Sequence, residues 1–81
     1  MNMDRKDVMD RIVPIARKVF EKPDLELCDT LDATQVDTWT SFAFMQLLEK
    51  VEEEFGFKIS MLELIKIRNI GTLVDVVVQH Q

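Results

Sequence analysis

The chain is poor in the residues that break helices or build chemical sites. Its 81 residues include two glycines, two prolines, one cysteine, one histidine and no tyrosine. So few glycines and prolines favour helices over a turn-rich β-sandwich. The single Cys28 permits neither an internal disulfide nor a cysteine metal cluster. Gly56 and Gly71 stand far apart, which excludes a glycine-rich loop that cradles phosphate.

The same scarcity argues against an intrinsic catalyst. His80, the only histidine, lies beside the C-terminus, where a Ser–His–Asp or Cys–His arrangement is hard to hold in place. The aspartates of residues 24–37 lack the D-x-D-x-D-G spacing of a calcium loop. We therefore expect a protein that is not an enzyme and has no metal ligands of its own.

Basic residues are also in the minority, with 10 Lys and Arg against 15 Asp and Glu and a net charge of −5. Nucleic acids are bound mainly through Lys and Arg, so basic protein partners are favoured over DNA or RNA. No apolar run reaches the about 18 residues of a membrane-spanning helix. The N-terminal MNMDRKDVMD lacks the apolar stretch of a signal peptide. We expect a cytoplasmic monomer that forms a single domain over residues 1–81.

The first apolar pattern has the spacing of one helix face and consists of Val8, Ile12, Ile15, Ala16 and Val19. It predicts a helix from about Asp4 to Phe20. Pro14 lies inside this pattern and lacks the N–H that a regular helix uses. We therefore expect either a kink between Asp10 and Pro14 or two abutting helical pieces.

A polar, aperiodic segment follows from Glu21 to Trp39 and predicts a long loop. Its apolar residues are expected to pack on the core, and they are Leu25, Leu27, Leu31 and Val36. A loop of this length is uncommon in a compact domain unless it is functional.

The clearest helix begins after this loop. Its core-facing residues are Phe44, Leu47, Leu48, Val51 and Phe55. Thr40 is placed to cap it through the side-chain hydroxyl. Gly56 is placed to end it in the left-handed conformation, with Phe57 folding back onto Val51. Another side of the same helix is polar and carries Gln46, Glu49, Glu52 and Glu53.

A short third helix is predicted from about Met61. Ser60 and Glu63 match the S-x-x-E capping box, and Ile59 and Leu64 occupy the positions of the hydrophobic staple.

The last segment, NIGTLVDVVVQHQ, is ambiguous. Its three consecutive valines are typical of strands, but its apolar residues at positions 70, 73, 74 and 77 have helical spacing. Because the chain offers no partner strand, we predict a helix with Asn69 or Thr72 as its N-cap. The predicted fold class is an all-α four-helix bundle with three longer helices and a short third one.

The segment DTWTSF at residues 37–42, followed by MQLLEKVEEEFGFKIS, resembles the attachment region of acyl carrier proteins. The signature of that family is Asp-Ser-Leu at the start of the second helix. Its serine lies fourteen positions before the phenylalanine of a Glu-Glu-Glu-Phe run, and here Ser41 lies fourteen positions before Phe55. The resemblance extends over about residues 7–78 and accounts for the long acidic loop.

The resemblance implies a carrier of the specialised-pathway type with 4′-phosphopantetheine attached to Ser41. The arm would come from coenzyme A through a phosphopantetheinyl transferase and would carry acyl groups as thioesters. The implied partners are that transferase, an acyl-loading ligase or transferase, and condensing enzymes of a fatty-acid, polyketide or other acyl pathway, with basic docking patches. The expected partner-binding residues are Phe42, Met45, Gln46, Glu49, Glu52 and Glu53. Phe42 has a second interpretation, which is to line an acyl pocket.

Two positions depart from the family signature. Thr40 replaces the aspartate before the serine, and Phe42 replaces the leucine after it. Thr40 keeps the helix cap and loses the negative charge, which Asp37 restores only in part. Trp39 resembles the Trp-Asp-Ser-Leu form of specialised-pathway carriers. Its ring either covers the core near helix one or is exposed for contact with a partner. These departures leave a second hypothesis open, in which the chain is an unmodified carrier-like module that binds a partner through acidic helix two.

Overall fold

The computed structural model describes residues 3–81, and the order of its elements is the predicted one. The described residues form four helices and no strand: α1 (Arg5–Val19), α2 (Ser41–Phe55), α3 (Met61–Lys66) and α4 (Ile70–Gln79). α1 packs against both α2 and α4, and buried side chains of these three helices meet in one core. The all-α bundle with a short third helix is confirmed. No helix within residues 3–81 is long and apolar enough to cross a membrane.

Pro14 does not divide α1. The helix is continuous from Arg5 to Val19, so the expectation of two abutting pieces is wrong. Pro14 and Asp10 are both exposed, and water can therefore reach the Asp10 carbonyl that the proline leaves without a helical donor. A kink at this position stays a prediction.

The helix caps lie where local sequence places them. The Thr40 hydroxyl accepts a hydrogen bond from the Ala43 N–H at 3.1 Å. Gly56 ends α2 with a φ of 72°, in the left-handed region that favours glycine. Both bonds of the capping box at Ser60 and Glu63 are present.

Asn69 is the N-cap of α4, which resolves the choice between Asn69 and Thr72. Thr72 is instead the third helical residue, and its hydroxyl accepts from the Asn69 N–H at 3.0 Å. The side chain of Asn69 accepts from the Thr72 N–H at 2.8 Å in return. The last segment is a helix, as its spacing predicts, because its apolar residues pack on α1 rather than on a partner strand.

The loop between α1 and α2 is held to the core and to α4. Leu31 and Val36 are buried, and Leu25 and Leu27 pack against the core while half-buried, as predicted. The backbone of Leu31 accepts a hydrogen bond from the Ile70 N–H at 3.0 Å. The loop therefore has a defined place although it contains no helix or strand.

Gly71 permits the closest approach between the loop and α4. Its N–H donates to the Asp29 carbonyl at 2.9 Å, and a Cβ at position 71 would lie 2.8 Å from both the Cβ and the carbonyl oxygen of Asp29. Arg5 reinforces the contact, because its guanidinium pairs with Asp29 at 2.7 Å and also with Asp75. The start of α1, the loop and α4 are tied together at this point.

Candidate functional site

Ser41 is the first residue of α2, and it is exposed. The capping role falls on its neighbour Thr40, whose hydroxyl is engaged with Ala43. The structure gives the Ser41 hydroxyl no hydrogen-bond partner among residues 3–81. A phosphate bound through this oxygen would lie at the positive end of the helix dipole. The position therefore fits a group attached through a phosphodiester.

The only other serine of the chain is differently placed. The Ser60 hydroxyl accepts a hydrogen bond from the Glu63 N–H at 3.2 Å and is part of the capping box of α3. A change at Ser60 would release this bond, whereas a change at Ser41 would release none. Of the two serines, Ser41 is therefore the one whose hydroxyl takes no part in a helix cap.

The negative charge near Ser41 is smaller than the sequence suggests. The Asp37 carboxylate lies 2.8 Å from the Lys22 ammonium, and the hydrogen bond and attraction of Lys22 lower the pKa of Asp37. The first turn of α2 carries no acidic residue. The suggestion that Asp37 compensates for Thr40 is weakened, because Lys22 balances that charge.

Large apolar side chains lie on the solvent side of α2 near its start. Phe42 is 73% exposed and Met45 is 55% exposed. Such exposure favours contact with a partner over the lining of an interior pocket for Phe42. Trp39 covers the core near the end of α1. Its ring stacks on Phe20, with centroids 4.8 Å apart, and on Phe44 at 5.9 Å.

The three glutamates of α2 that are expected to bind partners divide into two kinds. Glu49 and Glu53 are exposed, and the ammonium of Lys50 approaches Glu53 only to 3.8 Å. Glu52 is half-buried, and its carboxylate accepts the Ile59 N–H at 2.7 Å. Glu52 therefore holds the α2–α3 loop, whereas Glu49 and Glu53 are free to meet a partner.

An open groove lies on each side of Glu49 and Glu53, and both glutamates line both grooves. The groove toward α3 also contains Met45 and Leu64. The groove toward α1 also contains Gln46. The two glutamates form a ridge between these grooves, so that a partner can contact them from either side.

Two features near the site were not predicted from the sequence. The His80 ring lies 2.6 Å from the Glu63 carboxylate through Nε2 and stacks on Phe57 with centroids 4.2 Å apart. The pKa of Glu63 is lowered by the backbone hydrogen bond from Ser60 and then by His80. The contact of Phe57 with Val51 stays a prediction. The second feature is an apolar outward face on α3, formed by Met61, Leu62 and Ile65.

A helical bundle with an unengaged serine hydroxyl at a helix N-terminus is compatible with a carrier protein, which holds a covalently attached group for other enzymes. Comparison with known families specifies the class, because residues 10–77 match the model of the phosphopantetheine attachment site. The chain belongs to this family of phosphopantetheine-binding carrier domains.

The chain is also similar to a solved structure of the same kind. The solution NMR structure of a holo acyl carrier protein from Geobacter metallireducens is 33% identical, with a TM-score of 0.81. The match covers 86% of this chain and 80% of that chain. No curated protein matches the sequence.

Family membership settles the general function. The chain is an acyl-carrier-like domain, a carrier rather than an enzyme, and its cofactor is 4′-phosphopantetheine. Carriers of this kind interact with phosphopantetheinyl transferases and with enzymes of acyl pathways. The predicted family, the carrier role and the cofactor are confirmed.

Proposed function

We propose that Ser41 bears the phosphopantetheine and that residues 1–81 form one carrier domain of a dedicated cytoplasmic acyl pathway. The observation that supports this site is the exposed, unengaged hydroxyl of Ser41 at the N-terminus of α2. The dedicated pathway is supported by the neutral and apolar surroundings of Ser41. Thr40 brings no charge, Asp37 is paired, and Phe42 is exposed.

Attachment replaces the phosphoanhydride bond of coenzyme A by a phosphate ester to serine. The Ser41 Oγ bonds to the phosphorus that bears the pantetheine arm of coenzyme A, the bond from that phosphorus to the adenosine 3′,5′-bisphosphate portion breaks, and the serine proton goes to a base of the transferase. When bound, the arm supplies a thiol that holds acyl groups as thioesters. The chain itself keeps the hydroxyl accessible and stabilises the phosphate by the dipole of α2.

Partner recognition is proposed for the exposed side of α2. Glu49 and Glu53 attract basic patches, and exposed Gln46, Phe42 and Met45 add contact area around them. Glu52 contributes to the local negative potential while its carboxylate holds the loop.

The test of this proposal is the modification reaction. Incubation of the purified chain with a broad-specificity phosphopantetheinyl transferase, Mg²⁺ and coenzyme A should add the mass of one phosphopantetheine. Ser41→Ala should stay unmodified, and Ser60→Ala, the matched control at the other serine, should be modified. A wild-type chain left unmodified by several transferases, or a Ser41→Ala chain that is still modified, would contradict the proposal.

The second candidate is an unmodified module that binds a partner through α2, and the absence of an acid in the first turn of α2 favours it. Thr40→Asp separates the two candidates, because Asp also caps helices and places a charge beside Ser41. Under the carrier proposal both the wild type and Thr40→Asp are modified, and a general transferase modifies the variant faster than the wild type. Modification of Thr40→Asp alone would favour the unmodified module.

A further inference from the structure

The outward face of α3 is apolar. Successive residues of a helix are about 100° apart, so positions 61, 65, 62 and 66 lie within one arc of about 140°. Met61, Leu62 and Ile65 in this arc are 75%, 74% and 67% exposed, whereas Leu64 on the other side packs against the core. Three large apolar side chains exposed on a six-residue helix form a patch rather than scattered surface residues.

The charges around this patch have the opposite sign to the charge of the chain. Lys58, Lys66 and Arg68 are exposed, and none of them forms an ion pair within residues 3–81. The ion-paired Lys and Arg side chains of the described residues lie on α1, the first loop and α2. Glu63, the acidic residue of α3, is bonded to His80. The patch is therefore edged by unbalanced positive charge.

These residues together are called the α3 surface: Met61, Leu62 and Ile65, with Lys58, Lys66 and Arg68 around them. It adjoins the acidic ridge of α2, because Lys58 lines the same groove as Glu49 and Glu53. A uniformly anionic membrane that attracted Lys58 would repel the two glutamates. A protein can place individual charges of either sign opposite each group, so charge complementarity favours a protein partner.

We propose that the α3 surface docks an acyl-pathway enzyme whose complementary site is an apolar recess edged by Asp or Glu side chains. The class of the partner rests on the proposed function. Burial of the three apolar side chains supplies affinity, and the cations orient the contact. The neighbouring ridge of α2 requires a basic patch. The partner must therefore present basic side chains opposite α2 and acidic side chains opposite α3. The cations of α3 disfavour an enzyme whose basic surface would cover both α2 and α3.

The first step of the test is site-specific crosslinking of the full-length chain in the organism that encodes it. A photo-reactive p-benzoylphenylalanine is placed at Leu62 and, as a control, at exposed Lys6 of α1. Mass spectrometry should identify, through position 62 and not position 6, an enzyme that acts on acyl thioesters.

The second step measures the affinity of that purified enzyme for the phosphopantetheine-bearing chain. Leu62→Ser with Ile65→Ser, and separately Lys66→Glu with Arg68→Glu, should each raise Kd at least about tenfold, as expected for a contact that carries binding energy. The control Lys6→Glu makes the same kind of charge reversal at an exposed lysine outside both grooves, and it should alter Kd by less than about twofold. Far-UV circular dichroism verifies that each variant is folded.

Several results would overturn the inference. In the crosslinking experiment, these are an adduct at position 62 that contains only a second copy of the chain, and identical products from positions 62 and 6. In the binding experiments, they are an unchanged Kd for both α3 variants, and binding to phosphatidylglycerol vesicles that requires Leu62. Intact mass of the chain reports the proposed function separately. A chain modified on Ser41 whose α3 variants have no effect would overturn only the inference, and an unmodified chain would overturn the proposed function.

Discussion

α3 and α4 follow each other in the chain and begin in the same way, yet one lies on the surface and the other in the core. Each starts with a capping box, at Ser60 and at Asn69. α4 buries most of its apolar side chains, whereas no residue of α3 is buried. Capping satisfies backbone donors locally and can start a helix anywhere, whereas burial attaches a helix to the domain.

The difference shows where this domain can open. α3 is held by the half-buried Leu64 and by the bonds of Glu63 and Glu52 to His80 and Ile59. Segments with few buried apolar contacts open at lower free energy than the core does. We expect α3 to open alone while α4 opens only with the whole bundle, which suits a surface that adapts to partners.

The largest expected effect is the contrast between one leucine of each helix. Leu73→Ala should lower the free energy of unfolding by about 2–5 kcal/mol, because it leaves a cavity in the core. Leu62→Ala should change it by less than about 0.5 kcal/mol, since that side chain is exposed. Urea unfolding followed by circular dichroism measures both. Similar losses for the two leucines would mean that α3 is packed as tightly as α4.

The next effect concerns the contact of α4 with the first loop. Gly71→Ala should cost about 1–3 kcal/mol, because the new Cβ would lie 2.8 Å from backbone and side-chain atoms of Asp29. Gly56→Ala is the control for a purely conformational cost, since its Cβ would contact nothing and only the left-handed φ opposes it. Both are measured by urea unfolding. A neutral Gly71→Ala, or rapid amide exchange of the Gly71 N–H that bonds to Asp29, would show that the loop is not held there.

A smaller effect separates the two capping boxes. Ser60→Ala should destabilise α3 by about 1 kcal/mol and speed amide exchange there about fivefold, with little change in global unfolding. Asn69→Ala should lower global stability by a similar amount, because α4 opens with the core. Amide hydrogen exchange of Leu64 and Leu73 distinguishes the two cases, since each N–H bonds to the carbonyl of its own cap residue. An equal global loss for both variants would contradict independent opening of α3.

The smallest effect depends on pH. The pKa of Glu63 is lowered in the folded chain by hydrogen bonds from Ser60 and His80, so the stability it contributes is present above the ordinary glutamate pKa and is lost as pH falls through the lowered value. Glu63→Gln keeps the acceptor for the Ser60 N–H and removes the charge. The variant should show a weaker loss of α3 protection between about pH 6 and pH 3. Amide exchange of α3 across this range measures it, and an identical loss in both proteins would assign the pH dependence to another group.

The helices and their caps were predictable because they depend on residues a few positions apart. Thr40, Ser60 and Asn69 each bond to an N–H three residues ahead. The position of Ser41 relative to Phe55 was likewise readable as a register along one helix. The continuity of α1 through Pro14 was not predictable, since it depends on how the freed carbonyl is exposed in the bundle.

The sequence by itself determined the helix boundaries, the apolar faces of α1, α2 and α4, and the serine at the start of α2, because local hydrogen bonding and a period of about 3.6 residues govern them. Only the tertiary structure decided which charges are free. Asp37 meets Lys22 and His80 meets Glu63 across fifteen and seventeen positions. It also decided that three apolar residues of α3 face water, because the short helix can turn only its opposite side toward the core.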